Sequence, residues 1–291
     1  MTAASGFVPA HLDVVAPGAA PTRTALVVHG ILGSASNWRG FVRRLVEDPR
    51  AAAYRWVLVD LRGHGESTLA GSPGAGPAPE PPHTLAACAD DLLRLEAHLG
   101  VRFDKAYGHS FGGKVVLELA QRATTLREVW FLDTPLGPTP PGSAAREEIA
   151  RVIAALRALG EPLPGRAEVA VALRRAGLSE GLAQWMTTNV RGSTADGYRW
   201  KFDLDCIEAL LADYFARDLS DFVRATSAAT AAGGDGLRIR AVRGGRSDRF
   251  GPAEIAVLDG IAGLEVEVLP DAGHWLHVDD PEGLRALMSR S

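Results

Sequence analysis

Six short runs dominated by Val, Leu, Ile and aromatic residues stand at 25–28, 56–59, 103–107, 129–132, 237–242 and 264–269, and most run into glycines or other turn residues. Runs this short and this continuously apolar predict strands buried on both faces of a sheet. Segments with apolar positions at helical spacing fill most of the intervals, at 38–47, 85–99, 114–121, 252–261 and 281–289. Strand and helix in alternation predict an α/β fold, a mostly parallel, doubly wound sheet. One interval breaks the rhythm. About a hundred residues separate the run ending at Leu132 from the one starting at Leu237, too many for a simple crossover. Helical patterns at 144–159, 167–176, 179–188 and 206–216 predict a helical cap inserted over the strand ends. The expected division is a core of residues 1–133 and 237–291 with a cap of residues 134–236. The Pro/Gly-rich stretch 71–82 reads as a mobile surface loop, and 228–236 as a flexible return from the cap.

Composition narrows the function classes. A chain of 291 residues, 46% hydrophobic, can bury a large core. Its formal net charge of -4, with basic residues scattered, gives no reason to expect a nucleic-acid partner. Cys88 and Cys206 are the only cysteines, too few for a disulfide framework or a thiolate metal site, which fits a reducing compartment. No stretch approaches the roughly 18 apolar residues of a membrane span, and the start has no continuous apolar h-region. A soluble, intracellular protein is expected, in the cytoplasm or in an organelle after removal of a targeting peptide. Oligomeric state is left open.

The chemistry centres on Gly108-His109-Ser110-Phe111-Gly112, set between a predicted strand and a predicted helix. A turn this sharp strains its middle residue and leaves no room for side chains at the flanking positions, which are both glycine here. Ser110 is therefore the candidate nucleophile. A serine hydroxyl needs a base within hydrogen-bond reach, and the base needs a third group to hold its tautomer. His274, in Asp271-Ala272-Gly273-His274-Trp275 directly after the last predicted strand, is the candidate base. His277 is expected to pack or face solvent, and His109 to bury itself against the sheet. His29 and His64 read as loop braces bonded to backbone.

Another turn, His29-Gly30-Ile31-Leu32-Gly33-Ser34, follows a strand and precedes a helix, so its free amides can point toward Ser110. It is the expected oxyanion hole, with the amide of Phe111 as one donor and that of Ile31, or alternatively Leu32, as the other. A phosphate-binding reading of this turn fails, because it lacks the Lys and spacing of a P-loop and the third glycine of a dinucleotide fingerprint.

These motifs together resemble the α/β-hydrolase superfamily, in the subgroup of small serine esterases. The matching stretches are His29 to Ser34, Arg62-Gly63-His64-Gly65-Glu66-Ser67, Gly108 to Lys114 and Ala272 to Trp275, while the cap is similar only loosely, around Tyr198-Arg199-Trp200. The resemblance implies cleavage of a small-molecule carboxylic ester or thioester through an acyl-serine intermediate, with no cofactor and no metal. It places the triad acid after either the sixth or the seventh strand, and both positions are occupied. Asp133 ends the run 129–132, where the resembling esterases keep an Asp while a Ser stands at the later position, matching Ser247. Asp248 is the alternative, one residue from where most of the superfamily keeps its acid. Asp205 is a third candidate, otherwise expected as a helix N-cap. Two rival functions share these motifs: a small-ligand receptor with little turnover, and an acyltransferase. Leu156, Leu159, Trp185, Met186 and Phe215 read as cap core or as the lining of an apolar pocket.

Overall fold

The computed structural model describes residues 6–68, 78–234 and 236–290. Its strands are β1 (His11–Val14), β2 (Arg23–Val28), β3 (Tyr54–Val59), β4 (Phe103–His109), β5 (Glu128–Leu132), β6 (Val190–Ser193), β7 (Gly197–Trp200), β8 (Arg238–Gly244) and β9 (Glu265–Leu269). Its helices are α1 (Ala35–Leu45), α2 (Pro49–Ala52), α3 (Leu85–Leu99), α4 (Phe111–Ala120), α5 (Ala144–Leu159), α6 (Arg166–Arg175), α7 (Glu180–Met186), α8 (Leu204–Ala216), α9 (Ser220–Ala231), α10 (Pro252–Asp259), α11 (Leu276–Asp279) and α12 (Pro281–Ser289).

Seven strands form one sheet in the order β1-β3-β2-β4-β5-β8-β9, parallel except for β1, which runs antiparallel to β3. Successive side chains of β2 go to opposite faces, as the two-residue period of a strand requires. Leu26 and Val28 join a cluster with Leu92 of α3, Val115 of α4 and Leu258 of α10. Ala25 and Val27 join another with Trp38 and Val42 of α1 and Leu284 of α12. Both faces are thus covered, which is why the strands read as continuous apolar runs.

Strand order reverses between β2 and β4, because β3 lies on one side of β2 and β5 on the far side of β4. Loops leaving the carboxyl ends of β2 and β4 diverge there and leave a crevice, the place where open α/β sheets bind ligands. The turn starting at His29 and the turn at Ser110 are the two loops concerned.

Between β5 and β8 lie helices α5 to α9 and the two-stranded sheet β6-β7. Val152, Leu156, Val169, Leu173, Met186 and Ile207 form a third apolar cluster there, which Leu32 of the first turn joins. One sequence expectation needs correction. The stretch 228–236 is not all a loop, because Ala228 to Ala231 belong to α9, whose Val223 packs into the sheet's own core. Strand β1 and the β6-β7 hairpin were not foreseen, since neither carries an apolar run. The expectation for 71–82 falls largely outside the described residues.

Candidate active site

Strand β4 delivers Ser110 at φ 53° and ψ -118°, a backbone conformation costing on the order of 1–3 kcal/mol for a residue with a side chain. The surroundings force it. A Cβ on Gly108 would lie 2.0 Å from the Gly112 carbonyl oxygen, and one on Gly112 would lie 2.5 Å from the His29 oxygen, so strand, turn and helix meet only through glycine. The Ser110 amide donates to Leu132 O at 2.8 Å, and its carbonyl accepts from the Gly113 amide at 2.9 Å and Thr134 Oγ1 at 2.8 Å. The strained residue is thereby tied to the next strand.

Asp133 occupies the equivalent step on β5. His109 and Leu132 are paired across β4 and β5, so Ser110 and Asp133 each stand one residue beyond that pair. Asp133 also has a positive φ, 51°, and its amide donates to Val242 O at 2.7 Å. Its fully buried carboxylate accepts from the Gly244 amide (2.9 Å) on Oδ1, and from Ser247 Oγ (2.5 Å) and His274 Nδ1 (2.7 Å) on Oδ2. A buried carboxylate is tolerable only when so satisfied. Its bond to His274 puts the ring proton on Nδ1 and leaves Nε2 as the acceptor.

The two other carboxylates go elsewhere. Asp248 is 70% exposed and paired with Arg249, while its neighbour Ser247 takes the place facing Asp133. Asp205 is exposed and bonded to Arg157. The N-cap of α8 is Asp203, two residues from the position expected, and its side chain accepts from the Asp205 and Cys206 amides.

Sequence reasoning missed the part of His109. Its Nε2 donates to the His274 carbonyl at 2.8 Å, so the residue beside Ser110 clamps the loop that carries His274. Burial, reinforced by His274 and His277, holds the His109 ring well below the usual histidine range, hence neutral. His277 stacks on Trp38 at 4.2 Å, and burial lowers it to about 4.

In the turn after β2, the Leu32 amide donates to His64 Nε2 at 3.1 Å, Gly33 to Gly30 O at 3.0 Å and Ser34 to Asn37 Oδ1 at 2.7 Å. Those donors are spent. Among the described residues no bond from the Ile31 amide or the Phe111 amide is seen, and Phe111 is the first residue of α4, where a helix leaves its N–H groups open. The turn lies against the elbow, since a Cβ on Gly30 would sit 3.4 Å from Ser110 Cβ. His64 donates from Nδ1 to Arg62 O at 2.9 Å, and His29 accepts from the Leu61 amide at 3.1 Å while donating to Gly30 O at 2.7 Å. Both are braces, as their sequence context suggested, and desolvation lowers His29 to about 4 and His64 to about 3. Their neutral state is what lets each ring nitrogen accept an amide.

The segment between β5 and β8 touches this frame directly. Asn189 Nδ2 donates to Leu32 O at 2.8 Å, and Trp185 of α7 packs edge-on against Trp275 with ring centres 4.5 Å apart. Lys114 of α4, fully buried, donates to the carbonyls of Gly137 (2.7 Å), Tyr214 (3.1 Å) and Arg217 (2.6 Å), tying both ends of the segment to the elbow helix. Of the apolar residues singled out from sequence, Leu156 and Met186 are core, while Leu159, Trp185 and Phe215 are partly exposed. Asn189 and Lys114 act through backbone carbonyls, and no sequence pattern announces that. Among the described residues no group of His, Cys, Asp and Glu is arranged to hold a metal ion.

Known proteins resemble the chain to different extents. The chain is 27% identical over 273 residues to the sn-1-specific diacylglycerol lipase ABHD11 of Mus musculus, an alignment covering 91% of this chain and 79% of the relative. It is 30% identical over 183 residues to esterase YbfF of Escherichia coli, covering 62% of this chain and 61% of that one. A solved marine microorganism esterase superposes with a TM-score of 0.78 at 20% identity, covering 98% of this chain and 99% of the other, which shows a shared fold. The profile of the alpha/beta hydrolase family matches residues 25–287, and the chain belongs to that family.

Proposed function

We propose that this protein hydrolyses carboxylic esters, with thioesters as the neighbouring class, through an acyl-serine intermediate on Ser110. Family membership carries the coarser statement, a hydrolase of the esterase and lipase type. The named relatives support the finer one, since one is a diacylglycerol lipase and two are esterases. The observation that carries the reading is the Asp133 carboxylate bonded to His274 Nδ1, beside a serine held in a strained elbow.

In this reading His274 Nε2 takes the Ser110 proton as Oγ attacks the acyl carbon. The amides of Phe111 and Ile31 hold the oxyanion that forms, each contributing about two to three orders of magnitude in rate. Asp133 stabilises the imidazolium, which then protonates the leaving alcohol. The same imidazole activates a water to release the acid and restore Ser110. Residues 134–219 serve as a cap over this centre, with Trp185 against Trp275 narrowing its approach, while α9 counts with the sheet.

The substrate is a small-molecule ester. Among the described residues no helix is long and apolar enough to cross a membrane. The buried, unpaired thiols Cys88 and Cys206 support an intracellular setting.

Ser110→Ala tests the assignment. It is expected to leave the circular dichroism spectrum and melting curve unchanged and to lower p-nitrophenyl butyrate turnover by about six orders of magnitude. Turnover near the wild-type rate would end it.

A further inference from the structure

Four of the parallel strands also bring charged residues together at the end of the sheet opposite Ser110. A cleft of about 380 Å³ opens there, lined by Arg23, Lys105, Arg127, Glu128, Thr230 and Arg238. Arg23 begins β2, Glu128 begins β5 and Arg238 begins β8. Lys105 lies five residues before Ser110 on β4, about 17 Å away at 3.3 Å per residue. This is therefore a separate place from the candidate active site.

We propose that this cleft binds a phosphate-bearing anion carrying at least two negative charges. Among the described residues, four cations face one carboxylate there, in a chain whose formal net charge is -4. Arg23, Arg127 and Arg238 are exposed, and among the described residues none has a carboxylate within ion-pair distance. Arg23 lies over the Tyr54 ring at 4.3 Å, which leaves the edge of its guanidinium free. Three guanidinium groups with no carboxylate partner among the described residues repel one another in one cleft.

Lys105 supplies the second, independent observation. It is only 3% exposed, and its Nζ has no hydrogen-bond partner. Glu128 Oε2 stands 3.8 Å off, too far for a hydrogen bond, and the other Glu128 oxygen accepts from the Trp130 indole at 2.5 Å. The neighbouring Asp104 carboxylate is taken by the Thr24 amide at 2.8 Å. Burial brings Lys105 down to about 8, so it remains mostly cationic near neutral pH. The Tyr54 ring, its centre 4.9 Å from Nζ, and the Glu128 carboxylate offset part of the cost of its burial, but neither fills a donor, and an oxyanion in the cleft would give the ammonium a hydrogen-bond partner. Tetrahedral phosphate oxygens suit a site of one point charge and several forked guanidinium groups better than a single carboxylate does.

Titration calorimetry with inorganic pyrophosphate tests the proposal on the full chain at low salt. Saturable binding is expected, weakened about tenfold for each arginine removed in Arg127→Gln and Arg238→Gln, both exposed positions that leave folding and ester turnover unchanged. Lys105→Met, if it folds, should abolish binding. Co-sedimentation with phosphatidylcholine vesicles, with and without phosphatidic acid, identifies the source. Retention on the acidic vesicles that pyrophosphate displaces and the arginine variants lose would make a lipid headgroup the ligand. Pyrophosphate binding without vesicle retention would make it a free phosphate compound. Absence of binding to both probes, or binding that the arginine variants leave intact, would overturn the proposal.

Discussion

Replacing Asp133 by Asn changes one atom at the centre of the proposed mechanism. The Asn carbonyl oxygen can keep the Gly244 amide that Asp133 Oδ1 accepts at 2.9 Å. Its NH2 group then takes the place of Oδ2, which lies 2.7 Å from His274 Nδ1 and also accepts from Ser247 Oγ. An amide donor at that point forces Nδ1 to accept, so the proton moves to Nε2 and the imidazole can no longer take the Ser110 proton. Packing is nearly unchanged because the two side chains have the same shape. The expected loss is therefore almost wholly in rate, about four orders of magnitude in kcat, or about 5 kcal/mol in the barrier. Asp248→Asn is the matched control, since its carboxylate is exposed and engaged with Arg249, and it should stay within a factor of about two of wild type. The assay is p-nitrophenyl butyrate hydrolysis with thermal unfolding run alongside. An Asp133→Asn protein within tenfold of wild type, or an equal loss from Asp248→Asn, would refute the reasoning.

Two further outcomes follow from buried charges. His29, His64 and His277, lowered to about 4, 3 and 4, are neutral in the folded chain but take up protons below about 6.5 when unfolded. Their stabilising effect is full above that value and is lost as pH falls toward the folded values, with a slope of up to about 1.4 kcal/mol per pH unit for each. Calorimetry should show Tm falling between about pH 6.5 and 5, and a flat Tm would count against neutral braces; Asp60 and Asp91, raised by burial, act in the opposite sense at lower pH. Lys114→Met leaves three buried carbonyls without their shared donor, so urea unfolding should show a loss on the order of 3 kcal/mol, and an unchanged midpoint would contradict the pinning role.

Legibility in the sequence followed how local each cause is. The strands bearing Val28, Val59 and Leu132 could be read because both faces are buried, so their apolar runs are continuous. β1 could not, since only Val14 of its four residues is buried and its strand state depends on pairing with β3. α9 escaped notice because its sequence is rich in Ala, Ser and Thr and only Val223 and Ser227 are buried. Its helix is set by packing on β8. At the candidate site, the strained turn at Ser110 was legible from two glycines whose absence of side chains is a local steric need. The two candidate acids could not be separated from sequence, because which carboxylate meets His274 depends on how the loop after β8 lies: Ser247 Oγ faces the Asp133 carboxylate while Asp248 turns outward to Arg249. Which amide of the turn after β2 stays open was equally remote, since the Leu32 amide is taken by His64 from 32 residues away.

The central claim is that Ser110 is made nucleophilic by the imidazole of His274. Reaction of the folded protein with a fluorophosphonate, followed by intact-mass measurement and peptide mapping, tests this most directly. The account predicts a single adduct per chain, on Ser110, formed at a rate that drops sharply in His274→Gln. An adduct on another residue, or none on protein that still hydrolyses p-nitrophenyl butyrate, would contradict it.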